Sequence, residues 1–184
     1  MRLFGDWQAE RDRRRRAAGY VRALHAEPLD DEVAWLAGAA AGGDADHARW
    51  EWRYARRALG LLVAQRNALD DRTPSLIAQE LSEAFTRDPY IAVGALTLAE
   101  RQFNERLAAY RDALASRSGE PTGTRVARIL LAFTGQVRPK PEVLAHAATV
   151  LTRYLAEVGS ALEHAFGTPS LPEDVPPSAV GGAP

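Results

Sequence analysis

DADHARWEWRYARRALGLLVAQRNALDD, residues 44–71, is the stretch whose reading decides the fold. It holds no proline and carries two of the four tryptophans. Ala45, Ala48, Trp52, Ala55, Leu59, Leu62 and Leu69 recur at alternating three and four, the seam of a helix packed on neighbours. Trp50, Tyr54, Ala58, Leu61 and Ala68 widen that seam to an apolar arc of about 220°, whereas a surface helix needs only about 100°. Such a helix needs neighbours on several sides, so the spacing predicts a central helix capped by Asp44 or Asp46. Arg49, Arg53, Arg56, Gly60 and Asn67 fall in the remaining arc, with Arg57 at its border.

Outward from this helix, the punctuation divides the chain into long and short helices. Upstream, a first helix runs from about residue 6 to 26 with Leu3, Phe4, Trp7, Ala17, Val21 and Leu24 near one face. Its middle, residues 10–16, is polar all round. Pro28 stops it, and a short helix over 30–41 follows, ended by Gly42-Gly43. Downstream, Thr73-Pro74 places a cap and a proline at the first helical position, which opens a helix to Arg87. Asp88-Pro89 repeats that punctuation and predicts a long helix to about Arg117, with Ala92, Leu96, Ala99, Phe103, Leu107, Tyr110 and Leu114 on its seam. Thr124 caps a short helix to Thr134. RPKP (138–141) leads into a last long helix, Pro141–Phe166. The expected fold is therefore all-α: a single-domain bundle over residues 1–167 of four long helices alternating with three short ones. Residues 168–184 are proline- and glycine-rich without pattern and are expected to form a disordered tail. A faint echo links 65–69 (QRNAL) to 110–114 (YRDAL), 45 residues apart, a spacing in the range of helical-hairpin repeats.

Composition narrows the function classes. The chain has 184 residues, a formal charge of −1 and no cysteine, so disulfides, thiolate metal sites and cysteine nucleophiles drop out together. Lys140 is the single lysine among 23 basic residues. That bias and the abundance of alanine fit a GC-rich bacterial genome. The N-terminal sixteen residues put charges where a signal peptide needs an apolar run, and no stretch approaches the roughly 20 apolar residues of a membrane span. A cytoplasmic protein is expected.

No motif carries chemistry. His47/Glu51 and Glu142/His146 have metal-pair spacing, but the Glu-x-x-His of di-iron bundles does not occur. His25 and His164 lie near helix C-termini, where partial positive charge is favourable. Nucleophile elbows and phosphate-cradling glycine loops are missing. No catalytic, metal or cofactor residue is expected, and an enzyme would need Glu80, Glu83, Glu100 and Glu105 to converge on a cleft.

The basic residues remain. Arg13, Arg14, Arg15 and Arg16 form one cluster, and Arg49, Arg53, Arg56 and Arg57 form a stripe beside Trp50, which together make a candidate surface for a partner or an anion. Against it stands an acidic segment, residues 27–48, with Glu27, Asp30, Asp31, Glu32, Asp44 and Asp46 and no basic residue but His47, able to pair with the stripe internally. Arg66 falls on the central seam and is the candidate polar anchor of the core, since a buried charge needs a partner. The function expected from this balance is a non-enzymatic interaction or assembly module, binding a protein partner or itself. A small-molecule or lipid-binding bundle anchored by Arg66 and nucleic-acid binding through the arginine faces are the alternatives. Peripheral membrane contact by the first helix ranks below both.

Overall fold

The computed structural model describes residues 2–68 and 70–167, with residues 2–6 described as backbone alone. Seven helices follow one another: α1 (Arg2–Leu24), α2 (Asp30–Ala39), α3 (Ala45–Asn67), α4 (Arg72–Thr86), α5 (Leu96–Ala115), α6 (Thr122–Phe133) and α7 (Pro141–Phe166). They form the expected all-α bundle of alternating long and short helices. The expected tail and the places of Leu3, Phe4 and Leu69 lie outside the described residues or side chains. No described helix is long and apolar enough to cross a membrane.

α3 touches every other helix, which is what its wide apolar arc requires. Its Ala48, Trp52, Ala55, Leu59 and Leu62 are buried on the seam, and Ala58 and Leu61 beside it. Asp44 caps it by accepting the backbone N–H of His47 at 2.9 Å, satisfying one of the free donors of the first turn. Small side chains let the neighbours approach. α1 crosses at Gly60, where Leu24 occupies the space a Cβ would need and the Tyr20 hydroxyl donates to the Gly60 carbonyl at 2.9 Å. α2 is tied by the Trp52 indole N–H, which donates to the Glu32 carbonyl at 3.1 Å. α7 is tied by the Tyr154 hydroxyl, which donates to the Arg56 carbonyl at 2.7 Å.

Several expected helix starts are corrected: α1 begins at Arg2 rather than near residue 6, and α6 begins at Thr122 with Pro121 at its cap position, which puts Thr124 inside the helix. Asp88-Pro89 opens no helix: residues 88–95 form turns, and α5 begins at Leu96. Asp88 is engaged by Arg57 at 2.5 Å and by the Tyr90 N–H at 3.0 Å, and Gly94 is left-handed at φ 88°, so the chain cannot run helically from Pro89. At α4, Asp70 rather than Thr73 accepts the free N–H, Thr73 donating to it at 2.6 Å. Across the echo between 65–69 and 110–114, Gln65 is exposed where Tyr110 is buried, Arg66, Asn67 and Ala68 share the burial of Arg111, Asp112 and Ala113, and Leu69 lies outside the described residues.

α5 sits differently from the other long helices. Only Ala99, Arg106 and Tyr110 are buried along it. Its N-terminal half rests on a satellite cluster of Tyr54, Phe85 and Ala99, with Trp50, Ile91, Leu96 and Phe103 partly buried against it. α4 and α5 both pack on α3 but scarcely meet each other.

Candidate functional site

The arginine stripe of α3 is folded inward. Arg49 pairs with Asp30 at 3.2 Å. Arg53 donates through one terminal nitrogen to both Glu27 oxygens at 2.9 and 2.8 Å, and Arg56 donates to the Glu27 carbonyl at 3.2 Å. Arg57 reaches past the acidic segment to Asp88. Arg53 and Arg57 are 5% and 2% exposed; the α1–α2 connection, the start of α2 and the turns before α5 supply the partners of the stripe, as the acidic segment 27–48 suggested for Arg49 and Arg53. Burial lowers the Arg57 guanidinium against the support of Asp88. Burial raises the Asp88 carboxyl, but the Tyr90 N–H and Arg57 outweigh it and hold it below the ordinary carboxylate range. His25, expected to carry favourable positive charge, is instead lowered to about 4, first by burial and then by Arg57.

The remaining arginine candidates divide. Arg13, Arg14, Arg15 and Arg16 are exposed, with Arg15 paired locally to Asp12 at 2.6 Å and Arg14 to Glu10 at 3.5 Å. Arg66, expected in the core, is exposed together with its neighbours Gln65 and Asn67. The last three residues of α3 are exposed while Ala64 before them is buried, so seam position there does not mean burial.

The buried charge lies elsewhere. Arg106 of α5 clasps Glu51 of α3, its Nε donating to Oε2 at 2.8 Å and a terminal nitrogen to Oε1. Its other terminal nitrogen donates to the Gln102 carbonyl at 3.1 Å. The guanidinium lies 4.3 Å from the Phe133 ring centroid and 5.0 Å from that of Tyr54. Burial pulls Arg106 down, but the hydrogen bonds and charge of Glu51 prevail and raise it above the ordinary value. The Tyr54 hydroxyl donates to Gln102 at 3.0 Å, and burial raises its pKa. His47 Nε2 is 3.9 Å from Glu51 and 3.1 Å from the Phe133 carbonyl. The Glu51 carboxylate is committed to Arg106, and among the described residues no three such side chains gather into a metal-holding group. A half-open pocket of about 350 Å3 fronts this network, with Trp50, Ile91 and Leu98 among its apolar walls. Every strong donor and acceptor of the Arg106–Glu51 pair is satisfied within the protein, which suits a clasp fixing α5 on α3.

A second opening combines apolar walls with a polar rim. Between α4 and α5 lies a half-open groove of about 400 Å3, floored by Leu61 of α3 and walled by Leu81 and Phe85 on one side and Phe103 and Leu107 on the other. Ser82, Glu100 and Asn104 line its rim. Glu100 is the ionisable group of that lining, and it has no ion-pair partner among the described residues. Of the four carboxylates whose convergence an enzyme would need, Glu100 alone lines the groove.

The described residues thus form a seven-helix all-α bundle in which Arg49, Arg53 and Arg57 of α3 are paired internally, with a half-open groove between α4 and α5. No family model, no curated protein and no solved structure matches the chain.

Proposed function

We propose that the protein is a non-enzymatic helical interaction module whose α4–α5 groove captures a helix of a protein partner. The observation that carries this is the splaying of α4 and α5, which share α3 as a floor yet scarcely meet, leaving Leu61, Leu81, Phe85, Phe103 and Leu107 around an unfilled slot. A helix laid there would complete a four-helix arrangement, and apolar anchors at i, i+3 or i+4 and i+7 suit a slot of this kind. Glu100 on the rim favours a basic residue on the incoming helix. The arginine–aromatic face anticipated from the sequence supports this role less well, because its buried members are already paired. The composition, with arginine far exceeding lysine, fits a bacterial source, and action in the cytoplasm belongs to the same proposal.

A small-molecule or lipid ligand is the competing occupant, favoured by a volume within the roughly 300–1,000 Å3 of ligand pockets. The groove is only half enclosed, and Arg66, the anchor expected for such a ligand, is not in it. The test is calorimetric titration with an amphipathic leucine–lysine peptide of about 18 residues, five helical turns. Binding is expected, abolished by Asn104→Trp at the rim and weakened roughly tenfold by Glu100→Lys. Binding that ignores both substitutions, or a response to fatty acid with none to peptide, would remove the proposal.

A further inference from the structure

Beside the α1–α2 connection a third hollow, of about 530 Å3, is walled by Glu27, Asp30, Arg49, Arg53 and Tyr90. Its two signs of charge are held very differently. Arg53 is buried, and its guanidinium is wedged between the Tyr90 ring at 4.0 Å and the Trp50 ring at 4.9 Å. Arg57 and Asp88 secure that wedge from behind, because Asp88 accepts from both Arg57 and the Tyr90 N–H. The side chains of Glu27 and Asp30, by contrast, are 44% and 91% exposed. Arg53 is held in place, Arg49 is partly exposed, and both carboxylates reach water.

The pairing is also incomplete. Glu27 engages a single terminal nitrogen of Arg53, and the buried Arg53 Nε has no hydrogen-bond partner. A carboxylate matched to arginine usually takes two nitrogens in a fork. The two carboxylates together carry the charge of one phosphate dianion, and a phosphate has more oxygens with which to satisfy Arg49 and Arg53. The Arg49–Asp30 pair, whose carboxylate is almost wholly exposed, contributes little, so exchanging it for a stronger anion costs little. At the half-buried Arg53–Glu27 pair an incoming phosphate would have to meet the same guanidinium in place of the carboxylate.

We propose that this hollow is a binding site for a phosphate-bearing anion, with Arg53 and Arg49 as its cationic wall and the Glu27 and Asp30 carboxylates as displaceable occupants of the free state. The site is separate from the α4–α5 groove and stands without it.

Titration of the full chain with inorganic phosphate, against sodium chloride at matched ionic strength, tests it by calorimetry. The wild type is expected to bind weakly. Glu27→Gln with Asp30→Asn removes the internal competitors and tightens phosphate by about fivefold, equivalent to about 1 kcal/mol. Arg49→Ala on that background cancels the gain. Should the double variant fold poorly, Asp30→Asn alone gives the same direction, since its carboxylate is almost wholly exposed. A parallel arm with phosphatidylcholine vesicles containing phosphatidic acid distinguishes sources: a gain there alone assigns the phosphate to a lipid headgroup, and a gain with inorganic phosphate assigns a soluble anion. A response equal to that of chloride in both arms, or a gain untouched by Arg49→Ala, would overturn the proposal.

Discussion

Replacing Arg106 by methionine keeps much of the side chain's length and removes its charge. The structure then leaves Glu51, only 4% exposed, without the nitrogens that met both its oxygens. Breaking a buried pair from one side costs about 3–5 kcal/mol, and the stacking of the guanidinium on Phe133 is lost as well. We expect Arg106→Met to destabilise by about 4 kcal/mol and Glu51→Leu by about 3 kcal/mol. The double variant leaves neither charge behind and should cost at least about 2 kcal/mol less than the sum of the two. Urea unfolding followed by helical circular dichroism gives the three values. Hydrogen exchange adds a spatial test, because α5 buries few side chains besides this one. Amides of Leu96–Ala115 should exchange faster in Arg106→Met while those in the middle of α3 change least. Additive costs, or uniform loss of protection, would refute the assignment of Arg106–Glu51 as the clasp that holds α5.

His25 supplies a pH signature. Its folded pKa of about 4 lies below the ordinary value of about 6.5, so its contribution is complete above that value and is lost as pH falls towards 4. Urea midpoints at successive pH values should decline over this window, and His25→Gln should flatten the decline. Asp88, held below its ordinary value, loses its share at lower pH as it protonates. Gly60→Ala forces Leu24 aside in a buried crossing and should cost about 1–3 kcal/mol in the same assay. Arg66→Ala, on the exposed last turn of α3, should leave stability within about 0.5 kcal/mol; a larger loss would restore it as a core anchor.

Much of the architecture is legible in periodicity and punctuation. The wide arc of residues 45–64 and the Pro141 start are local signals, and they survive because packing agrees with them. Pro89 misleads because its aspartate is recruited by Arg57, 31 residues earlier in the chain, a long-range event that no local pattern encodes. The clasp left a usable trace. Glu51 lies three residues from Ala48 and four from Ala55, and Arg106 lies three from Phe103 and four from Tyr110, so each helix carries one charge on its buried seam. Arg66 bears the same mark, but burial depends on whether another helix reaches that turn. The groove was invisible in the sequence: the half-buried Phe103 and Leu107 read as ordinary seam residues, and only the spacing of α4 from α5 turns them into a wall.

The most direct test of the docking groove is methyl NMR on the wild-type chain with the leucine–lysine peptide bound. Intermolecular nuclear Overhauser contacts should connect peptide leucine methyls to Leu61, Leu81 and Leu107, which floor and wall the slot. Contacts confined to another face of the bundle, or peptide binding without any contact to these three residues, would contradict capture of a helix between α4 and α5.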